Sequence, residues 1–130
     1  RLKRIKMIRT MPYPGFPTDV QAQMMALATV ADGTSVIVEN IFESRYRHVE
    51  DLTRLGANIK VANKVAVVEG VDRLFGAKVV AKELRGAAAL VVASLKAEGR
   101  TEIEGIKYLE RGYEDLEVVL SSLGANIRKV

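Results

Sequence analysis

Hydrophobic and polar positions along this 130-residue chain form one pattern that occurs twice. Residues 4–10 alternate as a strand does, 18–31 carry Val20, Met24, Leu27 and Ala31 at helical spacing, and 34–41 are rich in β-branched residues. A short helix follows over 48–55, and 58–62 and 64–69 read as a hairpin across Asn63-Lys64. The second half repeats the order: strand 77–81, helix 83–97, strand 101–107, helix 112–123, strand 125–130. Both short helices end in Leu-Gly-Ala-Asn, where glycine can take the left-handed conformation that closes a helix before a strand begins.

The wording repeats as well as the pattern. RLGANIKV at 54–61 returns as SLGANIRKV at 122–130, and 32–49 aligns with 98–115 at a constant offset that sets Gly33 on Gly99 and Arg45 on Arg111. Extended backwards, the same offset sets Asp19 on Arg85, each at the start of a helix-like run. The fold class is therefore α/β (α+β), built from βαβαββ units: residues 1–70 form one complete unit and 71–130 a second without its last strand. Helix 83–97 is unusually small-sided, with Gly86, Ala87, Ala88, Ala89, Ala93 and Ala97, so it is expected to be buried on most of its surface. Two units with a truncated hairpin leave strand edges to be covered. The chain thus reads as part of a larger symmetric domain, or as one that pairs through those edges with a second copy.

Composition narrows the chemistry. With no cysteine there is no disulfide, zinc-thiolate site or thiol nucleophile, which fits a reducing cytoplasm. One histidine, His48, argues against a histidine-based metal site and reads as a packing or capping residue at a helix start. No apolar run is long enough for a membrane span, and no apolar segment follows the basic N-terminus as a leader would require. The net charge of +4 suits an anion, but aromatics are 5% and basic residues beyond the first nine positions are interleaved with acids. A small anionic ligand is expected ahead of nucleic acid.

The stretch PYPGFPTDVQAQ at 12–23 holds all three prolines of the chain within six residues, directly before a helix. Proline fixes φ and restricts its predecessor, so the loop is stiff. Thr18 and Gln21 have capping-box spacing, and Asp19 falls at the first helical position, where the helix dipole favours a carboxylate. A purely structural link and a held active-site loop both satisfy these facts. Arg85 stands in the first turn of the equivalent helix, against the dipole, which calls for a bound anion or for Glu83 beside it. Arg45 and Arg111 each follow a strand and precede a short helix, the place where α/β folds seat ligands, and forked donors there suit phosphate or carboxylate.

These words together resemble the UDP-N-acetylglucosamine 1-carboxyvinyltransferases, enolpyruvyl transferases that begin peptidoglycan synthesis. The likeness spans nearly the whole chain: PYPGFPTDVQAQMMAL, IFESRYRHVEDLTRLGA, the ELR segment, AEG before a strand, ERGYEDLE and the terminal LGANI. It implies an inside-out α/β barrel of three βαβαββ units per domain, two of them in this chain. It also implies phosphoenolpyruvate and UDP-N-acetylglucosamine as substrates of the complete enzyme, with no metal or other cofactor. By the same likeness Asp19 accepts the proton of the sugar 3′-hydroxyl, Ile41 contacts the UDP-sugar through its backbone, and Arg85 and Arg111 grip phosphoenolpyruvate beside Arg45. Glu83 stands where the family has an acid–base aspartate, its longer side chain carrying the carboxylate outward. The family's lysine near phosphoenolpyruvate and its cysteine loop have no counterpart here, so the chain is expected to lack turnover alone. The alternative is a noncatalytic βαβαββ folding or anion/RNA-binding module.

Overall fold

Strand β2 (Thr34–Val38) organises the first half of the molecule. The computed structural model describes residues 3–4, 6–11, 21–40, 46–82 and 84–105. Along β2, Ser35 and Ile37 are buried and their neighbours half-exposed, the period-two pattern of a strand with one face on a core. β1 (Ile8–Arg9) pairs with it in parallel, Ile8 opposite Ile37. A parallel pair needs a crossover, and α1 (Gln21–Ala28) supplies it. On the other side β4 (Val65–Glu69) runs antiparallel to β2, and β3 (Asn58–Ala62) antiparallel to β4, giving the order β1-β2-β4-β3. The turn between β3 and β4 falls on Asn63-Lys64, as its sequence predicts, with Asn63 at φ 55°. α2 (Val49–Arg54) lies between β2 and β3, and Gly56 after it takes φ +99°, the left-handed closure expected of the first Leu-Gly-Ala-Asn. The second such motif lies outside the described residues, as do the expected elements 112–123 and 125–130.

The second half opens with β5 (Leu74–Phe75), then β6 (Lys78–Val80), α3 (Leu84–Ser94), β7 (Ala97–Glu98) and β8 (Glu102–Glu104). β5 pairs with β7 and β6 with β8, both in parallel. The two-residue strands β5 and β7 were not expected. Helix 83–97 is correspondingly shorter, because Ala97 leaves it to pair with Leu74, and Ser94 Oγ donates to the Val91 carbonyl (2.8 Å) in the last turn.

α1 and α3 lie against one another, and the core cluster to which they and α2 contribute includes the fully buried Met25, Ile37, Leu52, Leu55, Leu74 and Leu90. Burial of α3 over Gly86–Val91 and at Ala93 agrees with its small side chains, which let helix backbones approach. The face of α1 differs from the expected stripe. Gln21, Ala22, Met25, Ala26 and Ala28 are buried, Met24 is half-buried and Leu27 is 37% exposed. In QAQMMALA the apolar residues run nearly all the way round, so packing against α3 and the sheet, not periodicity, decides which side is inside.

Contacts recur between the halves at fixed spacing. Thr29 N donates to Met25 O and Leu95 N to Val91 O, residues 66 apart in each case, and Gly33 and Gly99, also 66 apart, both have positive φ. Strand ends recur with a different spacing: Thr10 N donates to Val38 O (2.9 Å) and Ala81 N to Glu104 O (2.8 Å), so Thr10 and Ala81 are 71 apart while their partners are 66 apart. The first half therefore carries five more residues than the second between strand end and helix. The five fall within residues 11–20, which hold all three prolines of the chain.

Candidate functional site

Each segment that carries a candidate residue leaves from the carboxyl end of a parallel strand: 12–20 after β1, 41–45 after β2, residue 83 after β6 and 106–111 after β8. Crevices beyond such ends are where open α/β sheets bind ligands. Asp19, Ile41, Arg45, Glu83 and Arg111 lie outside the described residues, and of the candidates Arg85 alone lies within them. It stands in the first turn of α3, half-buried, next to buried Gly86, with no acidic residue in that turn.

What the structure shows in detail is how the residues flanking these segments are held. Glu39, at 2% exposure, follows β2 and is buried without reaching solvent. Its Oε2 accepts from Thr10 Oγ1 (2.6 Å) and its Oε1 from Gln21 Nε2 (3.2 Å). The Thr10 oxygen in turn accepts from Asn40 N–H (2.7 Å). Thr10 closes β1 ahead of the proline loop, Gln21 is the first described residue after it, and Asn40 is the last before 41–45. One carboxylate thus ties together both ends of one loop and the entry to the other. Gln21 stands at capping-box spacing from Thr18, which lies outside the described residues; its amide donates to Glu39, just past β2.

Tyr46 anchors the exit of segment 41–45. Its hydroxyl lies 3.0 Å from the Ile37 carbonyl and 2.6 Å from that of Lys64 at the hairpin turn. Burial and then the nearby negative charge of Glu39 push the phenol up to about 12, since both disfavour a second anion there. Further on, α2 reaches the second repeat: buried Asp51 accepts from Val80 N–H (3.3 Å), and Lys82 pairs with Asp51 (3.5 Å) and Glu50 (3.3 Å). Lys82 immediately precedes Glu83, so α2 fixes the chain where the second acidic candidate begins.

Asp51 and Lys82 also line a shallow surface recess with Arg47, His48, Val80, Gly86 and Leu90. A carboxylate already holds its lysine, which argues against an anion site there. His48 is buried at the start of α2 with Nε2 3.2 Å from Met25 Sδ, and its side chain makes no cap hydrogen bond, so of the two roles expected for it packing is the one observed. Among the described residues no cluster of His, Cys, Asp and Glu could hold a metal, and no helix is long and apolar enough to cross a membrane.

Thr10, Glu39 and Tyr46 were not singled out from the sequence. A signal existed for Glu39: in 34-TSVIVEN-40 it follows Ser35 and Ile37 at period two, which places a carboxylate on the face turned to the core.

A family model described as EPSP synthase (3-phosphoshikimate 1-carboxyvinyltransferase) matches residues 1–120. UDP-N-acetylglucosamine 1-carboxyvinyltransferase 2 of Caldanaerobacter subterraneus subsp. tengcongensis is 52% identical over 130 residues, all of this chain and 31% of that protein. The UDP-N-acetylglucosamine 1-carboxyvinyltransferase of Desulfofundulus thermocisternus is 61% identical over 120 residues, 92% of this chain and 49% of that protein. The chain thus spans from about a third to half of these relatives' length. Among solved structures, the enolpyruvyl transferase NikO from Streptomyces tendae aligns at TM-score 0.86 and 34% identity over 96% of this chain and 29% of its own. EPSP synthase from Acinetobacter baumannii aligns at TM-score 0.68 and 19% identity, over 86% of this chain and 26% of its own, a likeness of fold.

Proposed function

The chain belongs to the EPSP synthase family of enolpyruvyl transferases, and on that premise we propose that it supplies part of the active site of a UDP-N-acetylglucosamine 1-carboxyvinyltransferase. The observation that carries this reading is identity of 52–61% to curated enzymes of that name across nearly all of the chain, against 19% to the EPSP synthase structure. In this reading residues 1–70 and 71–130 are two βαβαββ units of one domain, and the protein works in the cytoplasm at the first committed step of peptidoglycan synthesis.

The reaction joins the 3′-oxygen of the sugar to C2 of phosphoenolpyruvate while C3 takes a proton; C3 then gives a proton back as the bond from C2 to the phosphate oxygen breaks, releasing phosphate. Asp19 takes the hydroxyl proton, with the Ile41 backbone against the UDP-sugar. Arg85 and Arg111 hold the carboxylate and phosphate, with Arg45 as a third guanidinium, and Glu83 serves the proton exchange at C3. Positioned carboxylates and fixed cations are what this chemistry calls for: proton transfer by a placed side chain contributes about 10²–10⁴-fold, and charge developing on the phosphate is met by donors already oriented.

The 130 residues by themselves are expected to bind phosphoenolpyruvate weakly and to turn nothing over. Release of phosphate from phosphoenolpyruvate and UDP-N-acetylglucosamine by the purified chain at ordinary enzyme rates would refute that expectation. Placed in a transferase of the relatives' length, the chain should support turnover, and Asp19→Ala should lower kcat by at least about 10²-fold. Titration with phosphoenolpyruvate and with an RNA oligonucleotide at two salt concentrations checks ligand class. Salt-sensitive binding of RNA alone would point to the module reading.

A further inference from the structure

We propose that Glu39 is a positioning residue of this site: its buried carboxylate closes the bases of segments 12–20 and 41–45, and so sets where Asp19 stands relative to Ile41 and Arg45. This deepens the functional reading above and rests on it.

Three observations carry the inference. First, the carboxylate is almost fully buried, and both its oxygens serve as acceptors, from Thr10 Oγ1 and Gln21 Nε2. Secondly, the residues it joins are the boundaries of the two segments: Thr10 and Gln21 flank the proline loop, Asn40 enters 41–45 through its bond to Thr10 Oγ1, and Tyr46 closes that segment on the Ile37 carbonyl.

Thirdly, the molecule holds its own control. At the matching places in the second repeat Thr10 becomes Ala81, Gln21 becomes Ala87 and Glu39 becomes Gly105, by the spacings that the strand and helix contacts fix. There the same junction is made by bare contact: a Cβ on Gly105 would lie 2.4 Å from the Ala81 carbonyl oxygen. Strand, strand and helix meet in both repeats, so the architecture does not require the polar hub. What the first repeat has in addition is a strand-to-helix link longer by five residues, the one bearing Asp19. A longer link has more freedom at its base, and a charged acceptor with two directional bonds removes it. Proton transfer demands such placement, because a misplacement of about 1 Å can cost 10²-fold in rate.

The test uses a transferase of the relatives' length in which these 130 residues replace the matching stretch of the 52%-identical relative. Thermal melting, kcat, and KM for each substrate are measured for the parent, Glu39→Gln, Thr10→Val, Thr10→Ser and Asp19→Ala. Expected are a kcat lower by about 10–100-fold in Glu39→Gln and Thr10→Val, with KM values within about threefold of the parent, and Thr10→Ser turning over at least about tenfold faster than Thr10→Val. If Glu39→Gln does not fold, the Thr10 pair decides. A kcat near the parent's in Glu39→Gln or Thr10→Val, losses that follow only the folded fraction, or Thr10→Ser as slow as Thr10→Val would overturn the proposal. Asp19→Ala separates the two levels. A parental kcat in that variant defeats the reading of the site itself, whereas a disabled Asp19→Ala beside an unimpaired Glu39→Gln defeats the role of Glu39 alone.

Discussion

The junction of β1, β2 and α1 and the junction of β6, β8 and α3 solve one geometric problem by opposite means. In the first, hydrogen bonds hold buried polar side chains at Thr10, Glu39 and Gln21; in the second, Ala81, Gly105 and Ala87 leave no side chain to bond and let backbone meet backbone. Burying a carboxylate is costly unless its oxygens are satisfied, whereas close packing of small residues asks only for shape. The polar solution belongs where a long loop must be held, and the packed one where the chain passes from strand to helix within a few residues. Two junctions of the same architecture can thus be held by different means, one of them with a structural duty that the other lacks.

Gly105→Ala forces a Cβ against the Ala81 carbonyl at a residue with φ +81°, and should cost about 2–5 kcal/mol in urea unfolding. Thr10→Val keeps the shape of the polar junction and removes the hydroxyl that both Glu39 and Asn40 use, for a loss of about 1–3 kcal/mol. Gly99→Ala sharpens the first test. Its Cβ would meet nothing within 4 Å, so only its φ of +84° is at stake, and a cost of about 1–2 kcal/mol, below that of Gly105→Ala, is expected.

Tyr46→Phe gives the smallest effect, about 0.5–1.5 kcal/mol near neutrality. Its pH dependence is more telling. The folded phenol titrates at about 12, above its ordinary value of 10.0, so the folded state holds its proton more tightly than the unfolded one. The stability this contributes is complete below pH 10 and is lost as pH rises through about 12. Parent protein melted at pH 9 and pH 11.5 should show a fall that Tyr46→Phe lessens. Glu39→Gln should bring the tyrosinate absorbance change of Tyr46 to lower pH, because it removes one of the two causes of the shift.

Much of the fold was legible because its determinants are local. Asn63-Lys64 makes the hairpin turn, Gly56 closes α2, and the run of small residues in α3 announces a buried helix. The spacing of 66 residues that sets Gly33 on Gly99 in the sequence also separates the helix contact of Met25 with Thr29 from that of Val91 with Leu95, whereas Asp19, set on Arg85 by the same offset, lies outside the described residues. The inner face of α1 was not, since a segment apolar nearly all round leaves the choice to its neighbours. Nor were β5 and β7, whose two-residue ladders draw on partners more than twenty positions away.

The chemistry divides in the same way. Sequence alone supplied the kind of groups present, the carboxylates of Asp19 and Glu83 and the guanidinium groups of Arg45, Arg85 and Arg111, because residue identity sets charge and hydrogen-bonding capacity wherever a residue lies. Tertiary structure decided which polar side chain would be enclosed and made to serve: Thr10 and Gln21 stand 29 and 18 residues from Glu39, and the parallel pairing of β1 with β2 together with the packing of α1 against β2 brings their atoms within bonding distance. A hydrogen bond acts over about 3 Å of space whatever the separation along the chain, so the hub existed only once the strands had met.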